Sequence, residues 1–249
     1  MEIAQPLGTA PPLCAFFPGV FPPATPQLMG ISHPVGEIGI DESGKGDYFG
    51  PLVIAGVYVA REQEEQLRAA GVRDSKTLSD KNATALAEQI RTSCPSTIVA
   101  IGPERYNSLH ASFKNLNRLL AWGHARTIEN LLEKVSCDRV VADQFGDERF
   151  LTSALMAKGR AITLIQKPRA EEEVAVAAAS IVARAEFLRR LQELSTRYGI
   201  PLPKGASDIV ITAGKEFVRR HGTEALGQVA KLHFRTTSSV LGQAPERAG

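Results

Sequence analysis

Residues 39–53 read GIDESGKGDYFGPLV, and this stretch sets the expectation for the rest of the chain. A β-type run, Glu37–Ile40, leads directly into two adjacent acids, Asp41 and Glu42. A loop rich in glycine follows, and a second β-type run begins at Leu52. Because the connection is too short for a crossover helix, the two runs are predicted to pair as antiparallel neighbours. The pattern therefore places two carboxylates beside a glycine-rich loop at the end of a strand.

Two kinds of phosphate chemistry could use such a loop. Gly39, Gly44 and Lys45 match the spacing of a P-loop, but Gly46 stands where that motif needs the Ser or Thr that binds magnesium. The two carboxylates would also lie inside a loop whose amides must surround phosphates. Alternatively, the carboxylates bind Mg²⁺ or Mn²⁺, and the glycines let the backbone approach a phosphate or a ribose. The sequence favours this metal-site interpretation.

The rest of the chain alternates between β-type and helical patterns. Further strands are predicted at Leu52–Val59, Thr97–Ile101, Arg139–Ala142 and Ile162–Ile165. Helices are predicted after a cap at Ser79 or Asp80, over Leu116–Val135, Ala175–Leu194 and Ile209–Arg220, and briefly near Leu226. Since helices separate the later strands, those strands are expected to form parallel β-α-β units. The expected fold is α/β: a mixed sheet, antiparallel at its start and then parallel, flanked by helices, with a helical C-terminal portion.

The two ends differ from the middle in composition. Residues 1–34 hold eight of the fifteen prolines and no Lys or Arg, so an extended or disordered arm is expected. The chain from about Ser239 to residue 249 also looks loose, because it lacks periodicity. These boundaries leave residues 35–238 as one folded domain.

Composition and charge indicate the cellular compartment and the kind of partner that the protein could bind. Three widely spaced cysteines without a CxxC pair fit a reducing compartment. No apolar run approaches the roughly 18 residues of a membrane span, and no signal peptide is evident, so a cytoplasmic protein is expected. The formal net charge is +2, but ten Lys or Arg against five Asp or Glu lie between Arg184 and Arg235. That imbalance fits either solvated amphipathic helices or a surface that binds a polyanion.

The opening stretch closely resembles the signature of ribonuclease HIII, a branch of the type 2 ribonuclease H family. The resemblance continues in order over about residues 36–237. It includes Asp74-Ser75-Lys76, Val141–Phe145, Ala177–Arg184, Leu202–Gly205 and Lys231–Arg235. It implies a ribonuclease H-like fold and an endonuclease that hydrolyses the RNA strand of RNA–DNA hybrids. Catalysis by two Mg²⁺ or Mn²⁺ ions, leaving a 5′-phosphate and a 3′-hydroxyl, is part of what the resemblance implies.

The resemblance also implies which residues form the site. Asp41, Glu42 and Asp143 match three of the family's catalytic, metal-binding carboxylates. Glu171 matches the fourth, although Glu172 follows at once and could take its place in a shifted register. A Ser-His-Asp or Cys-His arrangement is not evident, which suits a reaction without a protein nucleophile.

Substrate-binding residues are implied in two groups. The loop of Ser43, Gly44, Lys45 and Gly46 resembles the family's reader of the RNA 2′-hydroxyl, with Lys replacing the Arg usual in ribonuclease HII. That replacement, together with Asp47-Tyr48-Phe49, assigns the chain to the HIII branch, whose members generally need a run of ribonucleotides. Phosphate contacts are expected from Lys76, Arg184, Lys204 and Lys231.

Three histidines and one missing feature complete the expectations. His110 and His124 are predicted to be structural, whereas His233 lies in a matched segment and could touch the site or substrate. Ribonucleases HIII commonly carry a folded N-terminal substrate-binding domain, for which the proline-rich arm is too short. We therefore expect the catalytic domain to bind the hybrid alone, or with something that this sequence does not encode, and less tightly. The resemblance implies a monomer.

Overall fold

The computed structural model describes residues 36–73 and 75–243. The predicted proline-rich arm, residues 1–34, lies outside this part, as do residues 244–249 of the predicted tail.

The described chain is built on one five-stranded mixed sheet in the order β3-β2-β1-β4-β5. Its strands are β1 (Gly36–Ser43), β2 (Leu52–Ala60), β3 (Ser96–Ile101), β4 (Arg139–Asp143) and β5 (Thr163–Lys167). β1 is antiparallel to β2 and parallel to β4, and β4 is parallel to β5, which confirms the predicted mixed α/β sheet. The antiparallel part is one strand longer than expected, because β3 starts beside the end of β2, with Ser96 opposite Val57.

Helices cover both faces of the sheet. They are α1 (Glu64–Ala69), α2 (Asp80–Ser93), α3 (Pro103–Phe113), α4 (Leu116–Leu132), α5 (Glu148–Ala154), α6 (Val174–Tyr198), α7 (Asp208–His221) and α8 (Thr236–Leu241). The predicted cap of α2 is confirmed, since the Ser79 side chain accepts a hydrogen bond from the amide of Asn82. None of the helices in the described part is long and apolar enough to cross a membrane.

The end of the described chain corrects one prediction. The chain was expected to be loose from about Ser239, but α8 continues through Leu241. Val240 is buried, and a Cβ added at Gly214 of α7 would lie 2.5 Å from its side chain. This helix is short and contains Thr and Ser, which have modest helix propensity. Packing against α7, rather than sequence periodicity, therefore explains it.

Alternation along the strands divides the core into two layers. Val53, Ala55 and Val57 of β2 pack in the layer that contains α2, α6 and α7. Leu52 and Ile54 pack in the opposite layer, which contains α4 and α5. Because successive strand residues point to opposite faces, each residue of β1 is likewise assigned to one layer.

The start of α6 lies directly against β1. A Cβ added at Gly39 would be 2.0 Å from the carbonyl carbon of Ala175 and 2.2 Å from the amide nitrogen of Val176. Only glycine lets the helix backbone approach the strand so closely. This contact brings α6 alongside the strand that carries the two adjacent acids.

Candidate active site

The adjacent acids of β1 point into different layers of the fold. Asp41 lies two residues after Gly39, on the same face of β1, and therefore faces α6. There the Ser180 hydroxyl hydrogen-bonds to its carboxyl group. Glu42 has the parity of Ile40 and faces α4, where its Oε2 lies 3.0 Å from Nε2 of His124. Strand alternation thus gives two neighbouring carboxylates separate supports.

Asp41 is a half-buried residue whose carboxyl group lies in a repulsive environment. Burial, the charge of Glu42 and, to a lesser extent, that of Asp143 raise the pKa of Asp41 to about 8. Hydrogen bonds from Ser180 and from the backbone amide of Glu42, at 2.8 Å, act in the opposite direction. Ser180 Oγ also lies 2.8 Å from Ser75 Oγ, so Asp41 ends a chain of buried hydroxyl groups. A cation beside Asp41 would relieve this repulsion.

Glu42 remains ionised despite its burial. Burial alone would raise the pKa of this carboxyl group. His124, through its hydrogen bond and charge, and Lys45, whose Nζ lies 3.3 Å from Oε1, both favour the ionised carboxylate. Together they outweigh burial, so the pKa of Glu42 is lowered. His124 is fully buried, and its Nδ1 has no hydrogen-bond partner in the described part of the chain. Its Nε2–H is therefore the group that donates to Glu42.

His124 was predicted to be structural; its ring is fully buried on α4, and it also makes a hydrogen bond to Glu42 that the sequence did not reveal. Its neighbours on the buried face of α4, such as Leu120 and Ile128, gave it the appearance of a core residue. The missed signal was strand alternation: Asp41 and Glu42 are adjacent, so their side chains point to opposite faces of β1, and Glu42 points toward the α4 layer.

Asp143 is the last residue of β4. Since Ala142 is opposite Ile40 of β1, Asp143 continues the parallel register beside Asp41. Its Oδ1 accepts a hydrogen bond of 3.2 Å from the backbone amide of Ala170. The predicted position at the carboxyl end of a parallel strand is therefore confirmed.

The fourth acidic position lies in a 3₁₀ turn, Ala170–Glu172. The structure places Glu171, half-buried, in the wall of the cavity that also contains Asp41 and Asp143. Glu172 is exposed and does not line that cavity. Arg169, just before the turn, has a φ of 56°, a left-handed conformation that costs energy for a residue with a Cβ. This turn gives Glu171 and Glu172 different orientations.

The four carboxylates and the glycine loop meet at one cavity of about 540 Å³. Of the residues predicted from sequence, it is lined by Asp41, Glu42, Asp143, Glu171, Ser43, Gly44, Lys45, Gly46, Arg184 and Lys204. Ser75 and Ser180 also line it, although neither was predicted as a site residue. Residues far apart in sequence therefore form a single acidic site with a basic rim.

Two basic residues of the rim share one carboxylate. Arg184 Nη2 and Lys204 Nζ each lie 2.6 Å from an oxygen of Asp80, at the start of α2. Hydrogen bonds from Lys204 and Arg184 lower the pKa of Asp80, although burial opposes them. Arg184 also donates to the carbonyl oxygen of Ser75. These contacts hold two predicted phosphate-binding side chains at the cavity.

Lys231 was predicted to contact phosphate, and the structure contradicts this. Its side chain is fully buried, and Nζ donates to the carbonyl oxygens of Asp47, at 2.8 Å, and Gly50, at 2.7 Å. Burial lowers the pKa of its ammonium group to about 7. Lys231 therefore supports the loop after Gly46 from behind, because its side chain is directed into the protein. The Lys76 side chain lies outside the described residues.

His233 packs in an aromatic cluster instead of lining the catalytic cavity. Its ring lies 4.2 Å from that of His110 and 5.5 Å from that of Tyr106, measured between centroids. Burial, followed by the nearby charges of His110 and Lys231, lowers the pKa of His233 to about 4. The hypothesis that His233 contacts the site gains no support from this arrangement.

The donor set suits a hard divalent cation. Carboxylate oxygens are the ligands that Mg²⁺ and Mn²⁺ prefer, and the raised pKa of Asp41 shows that its charge lacks compensation. Within residues 36–73 and 75–243, no three His, Cys, Asp or Glu side chains converge into a compact group that could hold a metal ion. Mg²⁺ commonly binds through one or two carboxylates together with water and substrate phosphate. The residues present therefore fit ions shared with a bound substrate.

This fold and site define a type 2 ribonuclease H. The family model described as Ribonuclease HII matches residues 38–237, and the chain belongs to that family of endonucleases. Its relatives place it more narrowly, in the ribonuclease HIII branch.

A ribonuclease HIII of Protochlamydia amoebophila is 50% identical over 223 residues, which are 87% of this chain and 74% of the relative. One from Chlamydia pneumoniae is 46% identical over 206 residues, covering 82% of this chain and 69% of the relative. Among solved structures, Bst-RNase HIII in complex with Mn²⁺ superposes with a TM-score of 0.78 at 35% identity, covering 84% of this chain and 70% of the other. The resemblance stated from the sequence is confirmed.

Proposed function

We propose that this chain is an endonuclease that hydrolyses the RNA strand of RNA–DNA hybrids and leaves 5′-phosphate and 3′-hydroxyl ends. One observation carries the proposal: four acidic residues from three separate segments line the same cavity as the loop Ser43–Gly46. A protein that only bound nucleic acid would gain nothing from placing this much negative charge beside phosphates.

Asp41, Glu42, Asp143 and Glu171 would hold the Mg²⁺ or Mn²⁺ ions, as their chemistry and the Mn²⁺ complex of the Bst relative support. The chemistry that bound divalent ions supply is activation of a water molecule and neutralisation of the charge that develops on the phosphate. The remaining tasks fall to the protein. Ser180 and the Ala170 amide orient Asp41 and Asp143.

His124 and Lys45 keep Glu42 ionised and restrict where its carboxylate can point. A residue with a fixed carboxylate needs less reorganisation when the substrate arrives. These two contacts therefore prepare Glu42 before the reaction begins.

The glycine loop supports recognition of RNA. Gly44 has a φ of +87°, and a Cβ there would lie 2.2 Å from the carbonyl oxygen of Pro51, so the position requires glycine. The resulting backbone lies at the cavity, where it can approach the 2′-hydroxyl that distinguishes RNA from DNA. Arg184 and Lys204, at the rim, are placed to meet backbone phosphates.

The proposed reaction is an in-line displacement at phosphorus. The water oxygen forms a bond to the phosphorus atom while the bond to the 3′-oxygen breaks, and a proton goes to that departing oxygen. The products are the 5′-phosphate and the 3′-hydroxyl, and no side chain becomes covalently attached.

Two duplexes test this function: an RNA–DNA hybrid and a DNA duplex that contains one ribonucleotide. Each is incubated with Mg²⁺ or Mn²⁺, with Asp143→Asn as the matched inactive control. We expect the unaltered protein to cleave the hybrid and Asp143→Asn to leave it intact. If neither duplex is cut, the enzyme assignment fails; efficient cutting at the single ribonucleotide would instead assign ribonuclease HII-type specificity.

We also propose that the protein acts as a monomer in the cytoplasm. Cys94 and Cys137, in the described part of the chain, are free thiols, as is usual in a reducing compartment. Light scattering on the purified full chain tests the oligomeric state, and a dimer at micromolar concentration would contradict this proposal.

A further inference from the structure

A second, basic cavity adjoins the catalytic one. It measures about 570 Å³, and its wall includes Arg68, Arg73 and Arg169. Glu171 lines both cavities, so they meet at a residue assigned above to the metal site. A nucleic acid backbone leaving the catalytic cavity on this side would meet the three arginines.

The three guanidinium groups come from separate segments and are exposed. Arg68 belongs to α1, Arg73 follows that helix, and Arg169 precedes the turn that carries Glu171. In the described part of the chain, none of them forms an ion pair, in contrast to Arg184 with Asp80. Their hydrogen-bond donors are therefore available to a ligand.

Other arginines that looked suitable from the sequence are already engaged. Arg189 and Arg190 both bind Glu186, and Arg219 and Arg220 both bind Glu216. The basic C-terminal helices thus offer fewer uncompensated charges than their composition suggests. The second cavity offers more: among the described residues that line it, Glu172 is the acid that remains once Glu171 is assigned to the metal site.

The chemistry of the cavity wall suits a phosphate group. Guanidinium groups bind phosphate oxygens through paired hydrogen bonds. Val72, Val174 and Ala177, all buried or nearly so, line the apolar part of the wall. Arg169, in the wall of this cavity, has a left-handed backbone conformation, and such conformations cluster at functional sites.

We propose that Arg68, Arg73 and Arg169 form a subsite for a backbone phosphate of the hybrid, next to the scissile position. This inference rests on the proposed function, because it assigns the arginines to the substrate of that reaction. Phosphate contacts of this kind position a duplex and carry no sequence information.

The test uses the double variant Arg68→Gln/Arg73→Gln, which leaves the strained backbone at Arg169 unchanged. Its control is Arg91→Gln/Arg126→Gln, which removes the same charge from exposed positions outside the cavity.

Binding of a fluorescein-labelled RNA–DNA hybrid is measured by anisotropy in EDTA over a range of salt concentrations. Each lost phosphate contact should lower the salt slope of log K by about 0.9. Since the subsite holds one phosphate, we expect the salt slope of the cavity variant to fall by about 0.9, with at least tenfold weaker binding, and that of the control to change little.

A second measurement locates the contacted phosphate. Single methylphosphonate linkages, which are uncharged, are moved along each strand of the hybrid. The unaltered protein should bind some of these duplexes markedly less well. The cavity variant should lose the penalty at the position next to the scissile phosphate and keep those that arise from Arg184 and Lys204. Equal salt slopes for the two double variants, or the same methylphosphonate profile for both, would overturn the subsite. Cleavage of the hybrid by the unaltered protein is scored separately, so failure of the subsite is distinguishable from failure of the proposed function.

Discussion

The contact between β1 and α6 yields a prediction about Gly39→Ala. The new Cβ would meet three backbone atoms of Ala175 and Val176 at 2.0–2.2 Å, whereas ordinary contact begins at 3.4 Å. The helix must therefore move by about 1.2–1.4 Å, the difference between these distances. No side-chain rotation can relieve the clash, because every opposing atom belongs to the backbone.

Overpacking of this kind costs about 1–3 kcal/mol or somewhat more. Alanine also lowers the conformational entropy of the unfolded chain, which offsets about 0.4–1 kcal/mol of this destabilisation. We expect the free energy of unfolding, measured by urea denaturation, to fall by about 1–3 kcal/mol. Because α6 carries Ser180, a displacement near 1 Å should also lower the rate of hybrid cleavage about 100-fold.

Gly102→Ala is the matched control. A Cβ at Gly102 has nothing within 4 Å, and its φ of −61° and ψ of 160° suit alanine. That variant should keep its stability within about 0.5 kcal/mol and its cleavage rate. If Gly39→Ala behaves like the control in both measurements, the close approach of helix and strand does not position the site.

Three further predictions concern individual side chains. Asp41→Asn and Asp143→Asn should each abolish cleavage while circular dichroism stays unchanged, and a near-normal rate in either would refute its place in the metal site. His124→Phe should raise the Mg²⁺ concentration needed for half-maximal activity and weaken Mn²⁺ binding, measured by calorimetry, about 10–100-fold. His124→Gln keeps a hydrogen-bond donor and should recover part of the lost metal affinity. Equal Mn²⁺ affinities for the unaltered protein and both variants would exclude a positioning role for His124. Glu186 has its pKa lowered by hydrogen bonds to neighbouring arginines, although burial opposes them, so its stabilising contribution is present above the unfolded pKa near 4.3 and is lost as pH falls through the lower folded value. Urea titrations at acid pH should therefore show a shallower loss of stability for Glu186→Gln, by about 1 kcal/mol or less, and identical slopes would contradict this linkage.

Local patterns in the sequence were sufficient for much of this protein. The β-type runs on either side of the loop at Gly44 predicted an antiparallel pair, because a short connection allows no other direction. Asp143 was predicted at a strand end because an apolar run stops there. Residue identity and short-range order carry these features, and the structure confirms them.

Other features depend on which layers meet in the folded chain. Glu42 and His124 are 82 positions apart, and Ser75 and Ser180 are 105 apart, so no local periodicity connects either pair. Lys231 matched a family segment, yet only its burial behind the loop shows that it binds carbonyl oxygens instead of phosphate.

The adjacent acids of β1 show the same division of information. Their sequence predicted a metal-binding pair beside a glycine loop. Which side chain supports each acid was settled by the helices packed on the two faces of the strand, since alternation sends Asp41 toward α6 and Glu42 toward α4. Composition and spacing determine which groups are present and which way a strand turns them; long-range packing determines which distant groups they meet.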